Sequence, residues 1–571
     1  MSSVLFLILR QMRAPLLLLS AVYAVATLGL TLIPGVDDQG NPWRMDFFHA
    51  FYFVTFMGTT IGFGEIPYPF TDSQRMWTLI FIYVTVATWI YALGKLIALL
   101  QNETLKKAFL DYQFKHHIKN IREPFILIAG YGDTGTKLVR SLRRRLIKAS
   151  IIDIAQPPLD ALLLDDFPMD VPGICADAAD PDMLVMAGVN DPYCRAVVAL
   201  TNDNEINLHI AITAKVLNPD ISVICRCDSR IVEDNMKSFG TNHIIDPYQT
   251  FARQLVLAVN APNQYALNEW FRSALDERVP TPLTIKKGRW IICGFGKFGR
   301  TVFDEMIRHG IDVQVIEPNA SIEGMPESTI IGDGTGEDSL TEARVTNAVG
   351  IIAGSNDDSN NLSIIVTARL LNPELFVIIR QNKQSNRLLF QKSNADIVME
   401  ESDVIAKTIR TLLTNPMIDE FLSLARAHDD AWAGVLDKQL RVISPEVLPQ
   451  TWAVTIGQRD AHAVIEAINQ GNEVRISHLT RSHTDRDSKL PLLVLYHRNK
   501  NGAFCMPHPD TVIHIGDQLL FTGTKMARFN VQWNLLNDEA LDYVRTGTSE
   551  PQTWFGKRFL NQHGQQQDRL V

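Results

Sequence analysis

Three apolar stretches open the chain, and their lengths set their roles. Ala14 to Ile33 carries no charged residue, and about 20 residues at a rise of about 1.5 Å cover the roughly 30 Å of a bilayer's hydrocarbon. This predicts a membrane-spanning helix. Met76 to Gly94 is again uncharged, and the apolar character resumes after Lys95 as far as Leu100, which predicts a second. Between them, Phe47 to Met57 is apolar and aromatic but too short to cross. It reads as a re-entrant helix, because a non-helical loop at that depth is tolerated only where it lines a cavity. Beyond residue 122 strands alternate with helices, and after about residue 440 short alternating runs follow: Trp452 to Ile456, Leu492 to Tyr496 and Val512 to Phe521. These predict a small β-rich subdomain ending near Thr524.

The loop after the short segment reads Thr59-Thr60-Ile61-Gly62-Phe63-Gly64-Glu65. Four copies of a Thr-x-Gly-aromatic-Gly loop ring an axis with backbone carbonyls that replace the water shell of a cation. Gly62 and Gly64 reach positive φ at little steric cost, so successive carbonyls can turn to one axis, and the Thr60 hydroxyl adds an oxygen ring. Thr60, Ile61, Gly62, Phe63 and Gly64 are therefore the expected selectivity filter. Arg10 and Arg13 flank the first span, and Lys106, Lys107, Lys115, Lys119 and Arg122 follow the second, whereas the intervening loop has only Arg44 and Arg75. The excess of basic residues places both ends in the cytoplasm. A cleaved signal peptide competes for residues 1 to 33, but Met1 to Leu9 is apolar before any basic residue and no clear small-x-small site follows. Trp43, Trp77 and Tyr83 suit either an interfacial belt or core packing. Gly94 suits either a bending point for a gate or a close helix contact.

The soluble part contains one pattern twice. Phe125 to Ala129 runs into Gly130-Tyr131-Gly132-Asp133-Thr134-Gly135, a helix and Ile151-Ile152-Asp153; Trp290 to Cys293 runs into Gly294-Phe295-Gly296-Lys297-Phe298-Gly299, a helix and Val313 to Glu317. In each copy the acidic residue stands 18 positions after the last glycine. Strand, G-x-G-x-x-G turn, helix and strand-end carboxylate together form a dinucleotide fingerprint, with phosphates meeting the helix N-terminus. The copies match further: Asp177 answers Asp333, Asn202-Asp203 answers Asn356-Asp357, and Asn207-Leu208 answers Asn361-Leu362. Leu217-Asn218-Pro219 and Leu371-Asn372-Pro373 precede apolar strands ending in Arg226 and Arg380. Candidate nucleotide contacts are Gly130, Gly132, Gly135, Asp153 and Asp177 in the first copy and Gly294, Gly296, Gly299, Glu317 and Asp333 in the second. Asp133 puts negative charge where phosphate would lie, while Lys297 and Arg300 put positive charge there, which favours the second copy. The competing reading is that Asp153 and Glu317 only cap the strand-to-loop transition.

Of 571 residues, 20% are charged and the net charge is −9; with no basic run beyond Arg143-Arg144-Arg145, a nucleic-acid surface is not expected. The six cysteines are scattered through the soluble part, which implies reduced thiols. Cys225-x-Cys227 lacks a second ligand pair and reads as buried small residues, and the acidic pairs Asp165-Asp166 and Asp357-Asp358 permit a calcium or zinc contact without specifying it, so metal ligands stay unassigned.

These motifs resemble the prokaryotic two-transmembrane potassium channels with tandem RCK domains (regulators of K⁺ conductance), of the GsuK-like type. The resemblance covers the pore loop, both repeats and the closing Gly516-Asp517 subdomain. It departs at Phe63, where the family has Tyr, at Glu65, where it has Asp, and in having no mid-helix glycine hinge in the second span. It implies an α-helical pore domain followed by two α/β Rossmann-like RCK domains and the β-rich subdomain. The expected boundaries are 1–100 for the pore, 101–122 for a helical linker, 123–285 and 286–430 for the RCK domains, 431–545 for the last subdomain and 546–571 for a disordered tail. The implied function is a non-enzymatic, potassium-selective homotetrameric channel of the inner membrane. A cytoplasmic ring binding NAD or another adenine nucleotide, or divalent cations, would gate it. The rival readings are a membrane-tethered NAD-dependent oxidoreductase and a regulatory subunit of a potassium-uptake system.

Overall fold

Apolar length dictates the first elements: α1 (Ser2–Leu32) and α3 (Asp72–Leu100) are each long enough to span a bilayer. The computed structural model describes residues 2–101, 103–164, 171–273, 283 and 285–548. A two-strand ribbon, β1 (Gly35–Val36) with β2 (Pro42–Trp43), leads into the short helix α2 (Phe47–Gly58). Small residues let these helices close up. A Cβ on Gly29 would stand 2.1 Å from the Trp77 indole, and one on Gly58 2.3 Å from the Tyr23 hydroxyl. The Trp77 Nε1–H donates to the Ala26 carbonyl at 3.1 Å, so Trp77 is a packing residue. Trp43 packs edge-on to Tyr68, while Tyr83 is exposed. Leu28, Leu79, Ile80 and Ile90 are also exposed, and such an apolar exterior suits lipid or a neighbouring protomer, not water. Helix α4 (Glu103–Asn120) covers the expected linker.

From Arg122 onward a second unit holds the repeat. Strands β3 (Phe125–Ala129), β4 (Lys148–Asp153), β5 (Gly173–Cys175), β6 (Cys194–Ala199), β7 (Ser222–Arg226) and β8 (His243–Ile245) form a sheet of order β5-β4-β3-β6-β7-β8. Its intervening helices are α5 (Asp133–Arg143), α6 (Gln156–Leu164), α7 (Pro181–Met186), α8 (Asn204–Leu217) and α9 (Arg230–Ser238). After α10 (Pro247–Asn260) and α11 (Pro262–Arg272) the design recurs. Strands β9 (Trp290–Cys293), β10 (Val313–Glu317), β11 (Ile330–Ile331), β12 (Gly350–Ala353), β13 (Phe376–Gln381) and β14 (Ile397–Glu400) adopt the order β11-β10-β9-β12-β13-β14. Helices α12 (Lys297–Arg308), α13 (Glu337–Glu342), α14 (Asp358–Leu371) and α15 (Arg387–Lys392) accompany them. This is the Rossmann order, with strands buried on both faces.

The polar residues that match between copies are mostly staples. Buried Asn207 binds both backbone groups of Thr201 and the Arg226 carbonyl, and Asn361 does the same with Ser355 and Arg380. Asp203 and Asp357 cap α8 and α14.

The two cores exchange helices. Tyr248, Phe251, Ala252, Leu255, Val256 and Val259 of α10, which follows the first sheet, pack into the core of the second. Ile405, Ala406, Ile409 and Leu412 of α16 (Glu401–Thr414), which follows the second sheet, pack into the first. Arg226 reaches Glu401 across the junction, and Arg380 reaches the Tyr248 hydroxyl. Each buried large apolar side chain contributes about 1.5–3 kcal/mol, so a core stripped of its borrowed helix loses an amount comparable to a domain's whole stability of about 5–15 kcal/mol. Residues 123–285 and 286–430 produced separately are therefore expected to aggregate, and to copurify as a folded pair when produced together. Size-exclusion chromatography and circular dichroism check this.

Helices α17 (Pro416–Ala425) and α18 (Asp430–Ile443) lead to an antiparallel sheet of order β15-β18-β16-β17, with β15 (Gln450–Thr455), β16 (Leu492–Asn499), β17 (Gly502–Cys505) and β18 (Gln518–Gly523). Helices α19 (His462–Asn469) and α20 (Ile476–Leu479) lie between β15 and β16, and α21 (Lys525–Leu536) and α22 (Asp538–Thr546) follow the last strand. Their Val531, Leu535, Leu541 and Val544 are in the core. The subdomain thus does not stop near Thr524: apolar positions on these last helices are needed to cover one face of the sheet. The expected tail lies, from residue 549, outside the described residues.

Candidate functional site: a pore loop and two glycine-rich turns

Three backbone hydrogen bonds fold the chain back at the end of α2: Thr59 N–H to Thr55, Thr60 N–H to Met57 and Ile61 N–H to Phe56, at 3.0–3.2 Å. Beyond them φ is positive at Thr60 (+62°), Gly62 (+67°) and Gly64 (+97°). Such alternation turns successive carbonyls to one side, the arrangement that a carbonyl-lined cation path requires. Phe63 lacks a tyrosine hydroxyl, yet its ring packs face-on to Tyr52 at 6.5 Å and edge-on to Phe56 at 5.5 Å. Glu65 supplies the polar anchor: one carboxylate oxygen accepts from Arg75 Nε at 2.9 Å and the other from the Phe70 N–H at 2.8 Å. Sequence reasoning treated Glu65 only as a departure and Arg75 only as a loop charge. The longer acid is the signal that pairs them. At Gly94 a Cβ would meet nothing within 4 Å among the described residues, so no close contact among them explains that glycine.

The glycine-rich turns superpose in their chemistry. The Gly130 N–H donates to Ile152 and the Gly294 N–H to Ile316, both at 2.9 Å. A Cβ on Gly135 would lie 2.4 Å from the Gly130 carbonyl oxygen, and one on Gly299 1.9 Å from that of Gly294, so the third glycine is what brings helix and strand together. Asp153 accepts from the Tyr131 and Ala155 N–H groups, Glu317 from those of Phe295 and Asn319. Both carboxylates are thus locked at the strand ends, as capping requires, with lone pairs remaining. Asp177 and Asp333 accept from the Ala179 and Thr335 N–H groups, and the Thr335 bond holds Asp333 below the usual carboxylate range.

The turns differ in what surrounds them. An open cleft of about 820 Å³ is lined by Gly130, Gly132, Asp153, Asp177 and Asn202, and also by Lys297 from the other repeat. Lys297 Nζ lies 3.3 Å from Asp228 Oδ1. Although burial pulls Asp228 upward, the Asn204 amide and the Lys297 and Arg226 charges hold it below its ordinary range. Arg300 lies over the Phe295 ring and donates to the Glu323 carbonyl. The charges expected to favour the second turn are therefore placed differently: Lys297 serves the first cleft and Arg300 is tied to its own loop. Sequence proximity gave their sign but not their direction.

Asp358 is occupied by Asn382, Lys383 and Asn386, and among the described residues no group of three or more His, Cys, Asp or Glu side chains is arranged to hold a metal ion. Asp165 and Asp166 lie outside the described residues. All six cysteines are free, and burial pushes the thiols of Cys225 and Cys293 up to about 12.

Residues 17–102 match the ion channel family model, and residues 126–247 and 290–401 each match the TrkA-N domain. A segment similar to ion channels is thus followed by two segments similar to TrkA-N domains. Potassium channel protein 1 of Methanocaldococcus jannaschii is 26% identical over 251 residues, covering 42% of this chain and 65% of that protein. A Trk system potassium uptake protein TrkA homolog of Methanothermobacter thermautotrophicus is 29% identical over 189 residues, 32% of this chain and 83% of that one. Among solved structures, "GsuK channel bound to NAD" aligns with 93% of this chain and 99% of its own at 16% identity and a TM-score of 0.49. The chain spans between 37% and 65% of the length of the first curated relatives it matches. The two curated relatives named here are a potassium channel and a potassium-uptake protein.

Proposed function

We propose that the chain is one protomer of a homotetrameric, potassium-selective channel of the plasma membrane. Both termini are cytoplasmic, and the TrkA-N domains form a ring that gates the pore in response to NAD or another adenine nucleotide. The observation that carries this reading is the Thr60–Gly64 loop, with positive φ at every second residue, held between two membrane-length helices. One chain supplies one loop, and a carbonyl-lined path needs four. The presence of this loop in the same chain argues against a separate uptake regulator. Val216, Ile231, Val366, Leu370, Leu388 and Leu389 are exposed on α8, α9, α14 and α15, which supports contacts between TrkA-N domains of different protomers.

The first cleft is the favoured nucleotide site, with Asp153 on ribose hydroxyls and Lys297 near the phosphates. Both turns retain the fingerprint, so Gly294, Gly296, Gly299, Glu317 and Asp333 form the second candidate. A ligand that draws Lys297 from Asp228 shifts the two TrkA-N domains towards one arrangement, which residues 101–122 transmit to the second span. Only a difference in affinity between ring states can do this, and about 1–3 kcal/mol per site is typical of such coupling.

Potassium flux through purified protein in liposomes, with sodium as control and NAD⁺ or NADH titrated, tests the reading. Selective flux that changes with nucleotide is expected. Selective flux indifferent to nucleotide removes the ligand assignment and keeps the pore, whereas no selective flux removes the channel.

A further inference from the structure

Helix α21 of the C-terminal subdomain carries an apolar stripe on its outer side. Met526, Phe529, Trp533 and Leu536 follow one another at spacings of three, four and three, which sets them on one side of the helix. They are 42–68% exposed, while Val531 and Leu535 of the same helix lie in the core. The Phe529 and Trp533 rings stack at 6.0 Å, and the His483 ring lies 5.9 Å from that of Trp533. A contiguous apolar stripe is costly in water and marks a docking face.

A second unmet demand stands at the end of the same subdomain. Helix α22 follows α21 after Asn537, packs back on it and ends at Gly547, where φ is +87°. The Arg486 guanidinium lies against this glycine: a Cβ there would stand 2.7 Å from Nη1. Arg486 Nη2 donates to the Arg545 carbonyl at 3.0 Å, and Arg545 Nη2 to Asp542 at 2.9 Å. The Nε–H groups of both arginines are buried and have no acceptor among the described residues. Positive charge predominates in this corner, since burial and the charges of Arg481, Arg545, Arg475 and Arg486 push His478 down to about 4. Buried guanidinium donors without an acceptor are destabilising, and a carboxylate fits them.

The next stretch of chain carries complements to both. It begins at residue 549, outside the described residues. Glu550, three positions after Gly547, is the one carboxylate before Asp568. Trp554, Phe555, Phe559 and Leu560 put four large apolar side chains into seven positions, and residues 561–569 contain none. The reach suffices: six residues from Thr548 to Trp554 extend up to roughly 20 Å, and the stripe from Met526 to Leu536 is about 15 Å long. The stripe alone would suit a second copy of the chain equally; the donors beside the point where the tail leaves favour the tail.

We propose that residues 550–560 dock on the C-terminal subdomain of their own chain. Glu550 accepts from Arg486 and Arg545, and the Trp554-Phe555 and Phe559-Leu560 pairs lie along the α21 stripe. The docked segment closes this face to other subdomains.

Photocross-linking in the full-length protein tests this. Benzoylphenylalanine replaces Phe529, the protein is irradiated in detergent, and the linked peptides are identified by mass spectrometry. A link to residues 550–560 is expected. Trp554→Asp combined with Phe555→Asp, which changes none of the described residues, should abolish it, and Glu550→Gln should lower its yield. To separate the chains, a probe-bearing chain that ends at Thr548 is coexpressed with a tagged, probe-free chain of full length, and no link between the two is expected. The proposal is overturned by a link from position 529 to any part of a second chain, its tail included. It is equally overturned by the absence of a link to residues 550–560, or by an unchanged yield in either tail variant.

Discussion

Gly64→Ala is expected to remove potassium-selective flux while leaving the protein folded and able to bind nucleotide. At φ +97° an alanine Cβ crowds its own backbone, which costs about 1–2 kcal/mol per residue. Among the described residues no atom lies within 4 Å of that Cβ position, so the cost is conformational and not a clash. Multiplied over four protomers it amounts to about 4–8 kcal/mol against the aligned carbonyl path, which leaves less than about one channel in a thousand in that arrangement. Gly62→Ala, at φ +67° and equally open, behaves alike. The matched control is Gly40→Ala: its φ is +83° with nothing within 4 Å, but it stands between β1 and β2. Rubidium uptake into liposomes separates them. Loss at Gly62 and Gly64 with full uptake at Gly40 is the expected pattern, and equal uptake in all three would remove residues 60–64 from the ion path.

The apolar helices and the repeat were legible because each rests on a strong local signal. Uncharged length marks a helix long enough to span a bilayer, and a strand running into G-x-G-x-x-G marks where a Rossmann unit begins. The exchange of α10 and α16 was not legible, since an apolar stripe on a helix says that one face is buried but not under which sheet. The matched asparagines were visible as a pattern, yet Asn207 and Asn361 acquire their role only when the next strand brings the Arg226 and Arg380 carbonyls within reach. Lys297 shows the limit most clearly: a lysine in a glycine-rich turn has a known charge, but the neighbouring domain decides which cleft receives it. For the same reason Glu65 and Arg75, ten residues apart, read as separate charges until α3 turns back over the loop.

Within each glycine-rich turn, two glycines face opposite demands, and alanine tells them apart. Gly299→Ala places a methyl 1.9 Å from the Gly294 carbonyl oxygen, a backbone atom that cannot swing aside. It should destabilise the soluble unit by about 2–4 kcal/mol, in the range of severe core overpacking; Gly135→Ala, at 2.4 Å, should cost somewhat less. Gly132 and Gly296 have φ of −72° and −68°, ordinary for any residue, and a Cβ on either meets nothing within 4 Å. Neither fold nor backbone needs glycine there. What does need it is the approach of a pyrophosphate to the backbone, so alanine at the working site should leave Tm unchanged and weaken nucleotide binding tenfold or more, an estimate of about 1.4 kcal/mol for one displaced contact. With Lys297 turned into the first cleft, the loss is expected for Gly132→Ala and not for Gly296→Ala. Calorimetric titration of NAD into the two variants decides it: the reverse result moves the site to the second turn, and unchanged affinity in both, with Tm intact, leaves Asp153 and Glu317 as caps of their strands.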